Sequence, residues 1–204
     1  MTTKERIIDE ALTLFSRKGY QGTSVKNIAD EVGIKDSSLY KHFKSKQEIF
    51  DTIVQGMSNR MEKMSRELGL PEEKDFEMAA AAYGKLTTEK LQELSKRVFL
   101  FYLKDEFSAR FRRMLTIEQY QNREIYEVYR EIFMEASITY QSTLFGEMIR
   151  QGSFRQVNSE VMAINFYAPI FFLLNKYDQE PDKEEEALEV LERQIYEFCR
   201  IYKN

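Results

Sequence analysis

The densest hydrogen-bonding chemistry lies in residues 37 to 46, which read SSLYKHFKSK and include the only histidine of the chain. Hydroxyl, amine and imidazole groups can bond to base edges and to the phosphate oxygens of a nucleic acid. At about 100° per residue on a helix, Leu39 and Phe43 fall on one face and should face the core. The opposite face then presents Ser37 and Lys41, with Ser38 beside them and with Tyr40 and His42 on the two flanks.

Such a polar face has two interpretations. A short surface helix carries polar residues simply because water solvates them, whereas a helix that lies in the major groove needs the same donors for DNA. Lys46 and the free N–H groups at the start of the following helix form a potential anion site, which favours the second interpretation. Residues 1–50 contain nine Lys and Arg against seven Asp and Glu, while the remainder contains 21 against 27. An anion-binding surface is therefore expected in the N-terminal quarter.

Helical periodicity places this run in a helix-turn-helix. The first four helices are predicted at residues 4–18, 24–32, 35–43 and 45–68. Thr23 and Ser24 can cap the second helix, and Gly33 ends it. Residues 45 to 48, SKQE, have the S-x-x-E form of a capping box, which opens the long fourth helix.

The rest of the chain also has helical periodicity and no alternating pattern that would require a sheet. Further helices are predicted at residues 73–104, 106–117, 122–151, 159–177 and 184–202. Only three prolines and eight glycines interrupt the chain, which favours long helices. We predict an all-α fold with a three-helix helix-turn-helix domain in residues 1–50, joined by the long fourth helix to a larger helical domain in residues 51–204.

Several function classes are disfavoured by what the sequence lacks. With His42 as the only histidine and Cys199 as the only cysteine, a His-based triad, a multi-His metal site and an internal disulfide are not expected. We therefore expect no catalytic residue, no metal and no cofactor. The longest apolar stretch, residues 162–174, is interrupted by Asn165 and Pro169 and is shorter than the about 20 residues that cross a bilayer. With no secretory signal apparent, a cytoplasmic protein without a membrane partner is expected.

Three runs carry a family resemblance: GYQGTSVKNIA at residues 19–29, VGI at 32–34 and LYKHFKSK at 39–46. They closely resemble the DNA-binding domain of the tetracycline-repressor (TetR) family, in the family's order and spacing over about residues 4–55. The resemblance implies that the third helix reads operator DNA. It implies that Tyr40, His42 and Lys46 hold phosphates and that Thr23, Ser24 and Lys26 add backbone contacts from the second helix.

One position departs from the family pattern, because Lys35 stands where relatives usually have serine or a similar capping residue. The cap of the third helix is then expected to pass to Asp36. Lys35 could contact a phosphate or a guanine edge, and Asp36 could accept from a cytosine amine or only cap the helix.

The C-terminal region is rich in aromatic residues and methionines, which could line a cavity for an apolar or aromatic ligand or could simply fill a core. The resemblance implies an effector pocket among the fifth to eighth predicted helices. The candidate effector-binding residues are Phe99, Leu103, Met114, Tyr126, Tyr140 and Phe166.

The last two predicted helices each have a wide apolar stripe, which could pack within the monomer or against a second copy of the chain. TetR-like proteins dimerise through these two helices, so the resemblance implies a homodimer. The candidate interface residues are Phe171, Leu174, Leu191, Ile195 and Phe198.

Taken together, the residues and the resemblance predict a sequence-specific transcriptional regulator. The expected partners are a palindromic double-stranded DNA operator and a small effector, largely apolar or aromatic, that releases a repressor from it. Two recognition helices about 34 Å apart would enter successive major grooves. The alternative is an architectural or nucleoid-associated DNA-binding protein without an effector, which would cover DNA broadly rather than at discrete palindromes.

Overall fold

A computed structural model of the chain describes residues 1–72 and 75–204, and their regular structure is helical, which confirms the predicted all-α class. One isolated β-bridge pairs Phe154 with Lys203. The α-helices are α1 Thr3–Lys18, α2 Val25–Val32, α3 Asp36–Leu39, α4 Lys46–Leu68, α5 Phe76–Tyr83, α6 Thr88–Lys104, α7 Glu106–Glu118, α8 Arg123–Arg130, α9 Ala136–Arg150, α10 Ser159–Lys176 and α11 Glu184–Tyr202. One turn of π-helix, Glu131–Glu135, here called the π-turn, joins α8 to α9. A 3₁₀ turn, Pro181–Lys183, precedes α11.

Helices α1, α2 and α4 begin at side-chain caps. Thr2 and Glu5 bond reciprocally to each other's backbone N–H groups at the start of α1, and these bonds lower the pKa of the Glu5 carboxyl. Ser24 caps α2 by accepting from the N–H of Asn27 at 3.1 Å. Ser45 accepts from the N–H of Glu48 at 3.1 Å, as predicted at the start of α4, while the carboxylate of Glu48 accepts the N–H of Lys44 at 2.6 Å, one residue before the position that a capping box would use.

Two long predicted helices are interrupted. The helix predicted at residues 73–104 is broken between α5 and α6 around Gly84, and its predicted start at residues 73 and 74 lies outside the described residues. The helix predicted at residues 122–151 is realised as α8, the π-turn and α9, which follow one another without a loop. Periodicity identified the helical state in both cases but does not encode a local change of helical pitch.

The described chain forms two compact units that do not follow the predicted domain boundary. One, here the N-terminal unit, comprises residues 1–63 and 105–129; the other, the C-terminal unit, comprises residues 64–104 and 130–204. The predicted functional division into residues 1–50 and 51–204 stays a prediction. The chain therefore returns to the N-terminal unit as α7, which packs on α1.

Polar contacts attach α7 to its neighbours in the N-terminal unit. The guanidinium of Arg110 bonds to the carboxylate of Asp9 at 2.7 Å and to the hydroxyl of Thr13 at 2.6 Å, both on α1. Asp105 caps α7 by accepting from the N–H of Ser108, and it also pairs with Arg60 of α4 at 3.2 Å. Buried apolar side chains of α1, α2, α4 and α7 form the core beneath these contacts.

The C-terminal unit has two apolar clusters. One of them includes Phe76, Phe145, Phe154 and Phe198, and the ring of Phe145 lies 5.6 Å from the rings of Phe154 and Phe198, centroid to centroid. The second cluster joins α6, α10 and α11 around the buried ring of Phe99. Within the described part of the chain, no helix has the length and apolarity needed to cross a membrane.

The structure buries most of the predicted dimer interface within a single chain. Leu174, Leu191, Ile195 and Phe198 are at most 5% exposed, whereas Phe171 is half-buried. The apolar stripe of α11 packs on α6 and α10 of the same chain. An amphipathic stripe shows that a face is buried but not which partner covers it, so the predicted dimer interface stays a prediction.

Candidate nucleic-acid interface

The α3 helix has the orientation that the sequence predicts. Leu39 is 0% and Phe43 is 1% exposed, whereas Ser37, Lys41 and His42 are exposed. The helix is shorter than the predicted residues 35–43, because it ends at Leu39 and continues as a tight turn in which the N–H of His42 bonds to the carbonyl of Leu39 at 2.8 Å. The apolar contacts therefore direct the polar side chains of this segment to solvent.

The turn between α2 and α3 fixes the angle at which α3 emerges. Gly33 ends α2 in the left-handed conformation with φ 75°, which glycine adopts without steric cost. The N–H of Ile34 bonds to the carbonyl of Ala29 at 2.9 Å, and Arg6 of α1 donates to the carbonyl of Val32 at 2.6 Å. The carbonyls at the end of α2 are thus satisfied within the N-terminal unit.

Lys35 and Asp36 differ from the expectation for the cap. Lys35 occupies the N-cap position without a side-chain cap bond, and Asp36 is the first residue of α3, so the expected cap by Asp36 is wrong. At the first helical position a carboxylate still interacts favourably with the helix dipole. Both side chains are exposed and remain free to meet DNA.

Most of the predicted DNA-binding residues share one property, exposure to solvent. The exposed ones are Ser24, Lys26, Lys35, Asp36, Ser37, Tyr40, Lys41 and His42, and the half-buried ones are Ser38 and Lys46. Thr23 is the exception at 1% exposure, because its hydroxyl donates to the carbonyl of Gly19 at 2.9 Å. The side chain of Thr23 closes the turn between α1 and α2 and is not presented to DNA.

Lys46 has a structural role that sequence reasoning missed. Its ammonium donates to the carbonyls of Tyr20 and Thr23, both at 2.8 Å, and lies 4.2 Å from the centroid of the Tyr20 ring. Burial lowers the pKa of Lys46, and the negative charge of Glu118 opposes that shift. Two of its three N–H donors therefore hold the turn before α2, and a phosphate contact through the third stays a prediction.

Tyr20 was also missed as part of this site. Its ring packs against Phe15 and Phe50 at centroid distances of 5.2 and 5.5 Å, and its hydroxyl donates to the side chain of Gln47 at 3.0 Å. The sequence feature that could have indicated this role is an aromatic residue directly after Gly19, at the end of α1, where the following turn packs on α4.

The predicted effector-binding residues are not gathered in one compact unit. Met114 and Tyr126 belong to the N-terminal unit, while Phe99, Leu103, Tyr140 and Phe166 belong to the C-terminal unit. The ring of Phe166 contacts Phe198 at 5.0 Å, and the hydroxyl of Tyr140 donates to the carbonyl of Pro71 at 2.8 Å. The four residues of the C-terminal unit stay candidates; the grouping of all six in one compact unit is not observed.

Comparisons with known proteins concern the N-terminal segment first. Residues 7–53 match the model of a family described as bacterial regulatory proteins, tetR family. The chain is 55% identical over 51 residues to the biofilm operon icaADBC HTH-type negative transcriptional regulator IcaR of Staphylococcus aureus (strain Newman). That match covers 25% of this chain and only 27% of the relative, so it concerns the N-terminal region alone.

Solved structures resemble the chain over almost its whole length. A TetR-family transcriptional regulator from Mesorhizobium loti superimposes with a TM-score of 0.69 at 18% identity, covering 99% of this chain and 97% of the other. A complex of SmeT with triclosan gives a TM-score of 0.63 at 19% identity, covering 100% and 93% of the two chains. At these identities the similarity concerns the fold.

The fold and the exposed face of α3 define an all-helical protein with an N-terminal helix-turn-helix. Residues 7–53 match the tetR family of bacterial regulatory proteins, and the described chain has the fold of solved TetR-family structures.

Replacing Lys46 tests its structural role. Lys46→Met keeps an aliphatic side chain near the Tyr20 ring but removes both bonds to the turn carbonyls. We expect the free energy of unfolding to fall by about 1–2 kcal/mol, because two part-buried carbonyls lose a charged donor. Urea unfolding measures the change, and Lys44→Met, at an exposed position of the same segment, should stay within about 0.5 kcal/mol of wild type. Equal stability of the two variants would contradict the role.

Proposed function

We propose that this chain is a dimeric transcriptional repressor that dissociates from a palindromic operator when a small, apolar or aromatic effector binds. The observation that carries the proposal is the orientation of α3, whose buried Leu39 and Phe43 leave Ser37 and Lys41 exposed. The repressor assignment is supported by the relative IcaR, a negative regulator that is similar over the helix-turn-helix segment.

In this proposal the exposed face of α3 enters the major groove. Ser37 and Lys41 meet base edges there, while Tyr40 and His42 meet phosphates on the flanking strands. Ser24 and Lys26 at the start of α2 add further phosphate contacts. Base contacts confer sequence preference, whereas phosphate contacts confer affinity that depends on salt.

Two substitutions at the residues directly after α3 test this division of roles. Lys41→Ala should change the ranking of operator variants, with a loss of about 1–3 kcal/mol confined to the contacted base pair. Tyr40→Phe, which removes one hydroxyl, should weaken binding to all variants similarly. Selection of sites from random duplexes, followed by fluorescence anisotropy on the selected palindrome and its variants, measures both. If Lys41→Ala lost affinity equally on every variant, or if wild type selected no palindrome, an architectural DNA-binding protein would be the better description.

The dimer contact is proposed at a face that the single chain leaves uncovered. Val161, Ile164 and Phe172 on α10 are 54%, 44% and 63% exposed, and Ala168 is exposed between them. Their spacing of three and four residues places them along one side of the helix. A row of apolar side chains on a helix is suited to a two-fold contact with its own copy.

Charge placed on this face tests the dimer contact. Ile164→Asp should shift the chain from dimer to monomer and reduce operator affinity at least tenfold, because an unpaired carboxylate in an apolar interface is costly. Sedimentation velocity reports the oligomeric state. Met134→Asp, at another exposed apolar position of the C-terminal unit, is the control and should leave the dimer intact. A dimeric Ile164→Asp would show that the chain does not use this face.

The effector site is proposed at an aromatic group of the C-terminal unit: Tyr102, Phe133, Tyr167 and Phe171. The hydroxyl of Tyr167 donates to the carbonyl of Phe133 at 2.7 Å, and the two rings of Tyr167 and Phe171 stack at 6.0 Å. Phe133 lies in the π-turn, a distortion that often marks functional positions in helices. Burial raises the pKa of Tyr102, and Tyr167 adds to that shift, so the hydroxyl stays neutral.

A panel of apolar phenols that includes triclosan, which SmeT binds in the structure above, tests the effector site. At least one compound should weaken operator binding of wild type tenfold or more, since only unequal affinity for two states can shift their populations. Tyr167→Phe should reduce this response, whereas Tyr196→Phe, at an exposed tyrosine of α11, should not. Anisotropy with labelled operator reports the release. Unchanged operator affinity with every compound would contradict the proposed effector class.

A further inference from the structure

The last residue of α7 carries a carboxylate inside the N-terminal unit. Glu118 is 1% exposed, and its Oε1 accepts the backbone N–H of Gln21 at 2.9 Å. Gln21 lies in the turn of residues 19–24, here called the α1–α2 turn, which leads into α2. The side-chain amide of Gln21 also donates to the carbonyl of Gln121, just beyond α7, at 3.1 Å. The end of α7 therefore holds the α1–α2 turn by two hydrogen bonds.

Gly19 makes room for this carboxylate. A Cβ atom at position 19 would overlap Oε1 of Glu118, and the φ of 78° there also disfavours any L side chain. The carboxylate thus packs directly against the backbone of the α1–α2 turn. A side chain in this position has little freedom to move without moving the turn.

Lys46 binds the backbone carbonyl groups of the same turn. Its ammonium takes the carbonyls of Tyr20 and Thr23, while the carboxylate of Glu118 takes the N–H of Gln21. The negative charge of Glu118 also favours the charged form of Lys46. An anion on the N–H group and a cation on the carbonyls together fix the turn more firmly than neutral partners would, because charge-assisted hydrogen bonds are stronger.

We propose that Glu118 is a positioning residue for DNA binding, which holds the α1–α2 turn so that Ser24 and Lys26 meet operator phosphates. This inference rests on the proposed function. Ser24 is the last residue of the turn and Lys26 lies in the first turn of α2, and both are exposed, so their location depends on the backbone of the turn. Arg110 bonds to Asp9 and Thr13 of α1, which anchors α7 and lets Glu118 act as a fixed acceptor.

A matched pair of variants isolates the acceptor. Glu118→Gln and Glu118→Met remove the same charge and have similar size, but only the glutamine retains an oxygen for the N–H of Gln21. Met fills a similar volume without an acceptor, and circular dichroism together with urea unfolding checks that the variant is folded under the conditions of each measurement. Glu106→Gln, an exposed acid on the same helix, is the control for net charge.

The first measurement is amide hydrogen exchange of the free, full-length protein. In Glu118→Met the amide of Gln21 should exchange about tenfold faster than in wild type, because it has lost its acceptor. In Glu106→Gln it should exchange at nearly the wild-type rate, and in Glu118→Gln at a rate between those of wild type and Glu118→Met, because the amide oxygen is a neutral and weaker acceptor. An unchanged rate in Glu118→Met would overturn the claim that Glu118 holds the turn.

The second measurement is operator affinity against salt concentration, with active protein counted by stoichiometric titration. Glu118→Met should bind about tenfold more weakly, and the slope of log K against log salt should fall by about one, as for one lost phosphate contact. Glu118→Gln should keep the wild-type slope. A wild-type slope in Glu118→Met would overturn the inference, since a purely structural defect lowers the active fraction and leaves the slope unchanged.

The two measurements separate failure of this inference from failure of the proposed function. If wild type bound no selected duplex, the proposed function would fail, and the positioning role would fail with it even where hydrogen exchange showed a held turn. If wild type bound its operator and Glu118→Met matched it in affinity and slope, only the positioning role would fail.

Discussion

The burial of Leu39 and Phe43 is the constraint on which the rest of the site depends. A helix of four residues has no stability of its own, because helix nucleation is unfavourable and α3 is too short to offset it. Its conformation and direction are therefore set by packing, and each buried side chain of this size contributes about 1.5–3 kcal/mol. With those two side chains in the core, the serines, lysine and histidine of the segment are directed to solvent.

The backbone polar groups of the turn before α2 are bound by charged side chains of the same unit. A surface turn normally leaves its N–H and carbonyl groups to water, but here an ammonium from α4 and a carboxylate from α7 take them. Lys46 therefore stabilises the conformation of the free protein. A lysine near a candidate DNA-binding surface need not bind phosphate. The number of its N–H donors that remain available depends on the hydrogen bonds it already makes within the protein.

Local signals in the sequence predicted much of the N-terminal part. The caps at Ser24 and Ser45, the glycine stop at Gly33 and the inward face of α3 all depend on residues close together in the chain, and all are present. Two other features depended on which partner a side chain meets. The apolar stripe of α11, for which the resemblance implied a second subunit, packs on α6 and α10 of its own chain. Thr23 was expected to contact DNA, but its hydroxyl bonds to the carbonyl of Gly19, four residues earlier. Periodicity predicts which face of a helix is apolar, but it does not predict which surface packs against that face.

Each compact unit is built from two separate segments of the chain, which limits where the chain can be cut into fragments that fold. The backbone leaves the N-terminal unit after Lys63, returns at Asp105 and leaves again after Tyr129. A fragment cut at residue 50 or 63 would lack α7 and expose the apolar side of α1 that α7 covers. The helix-turn-helix part is therefore not a detachable module. Gene fusion or recombination that exchanged only the first quarter of the coding sequence would deliver an incomplete core, so the two units are expected to be inherited together.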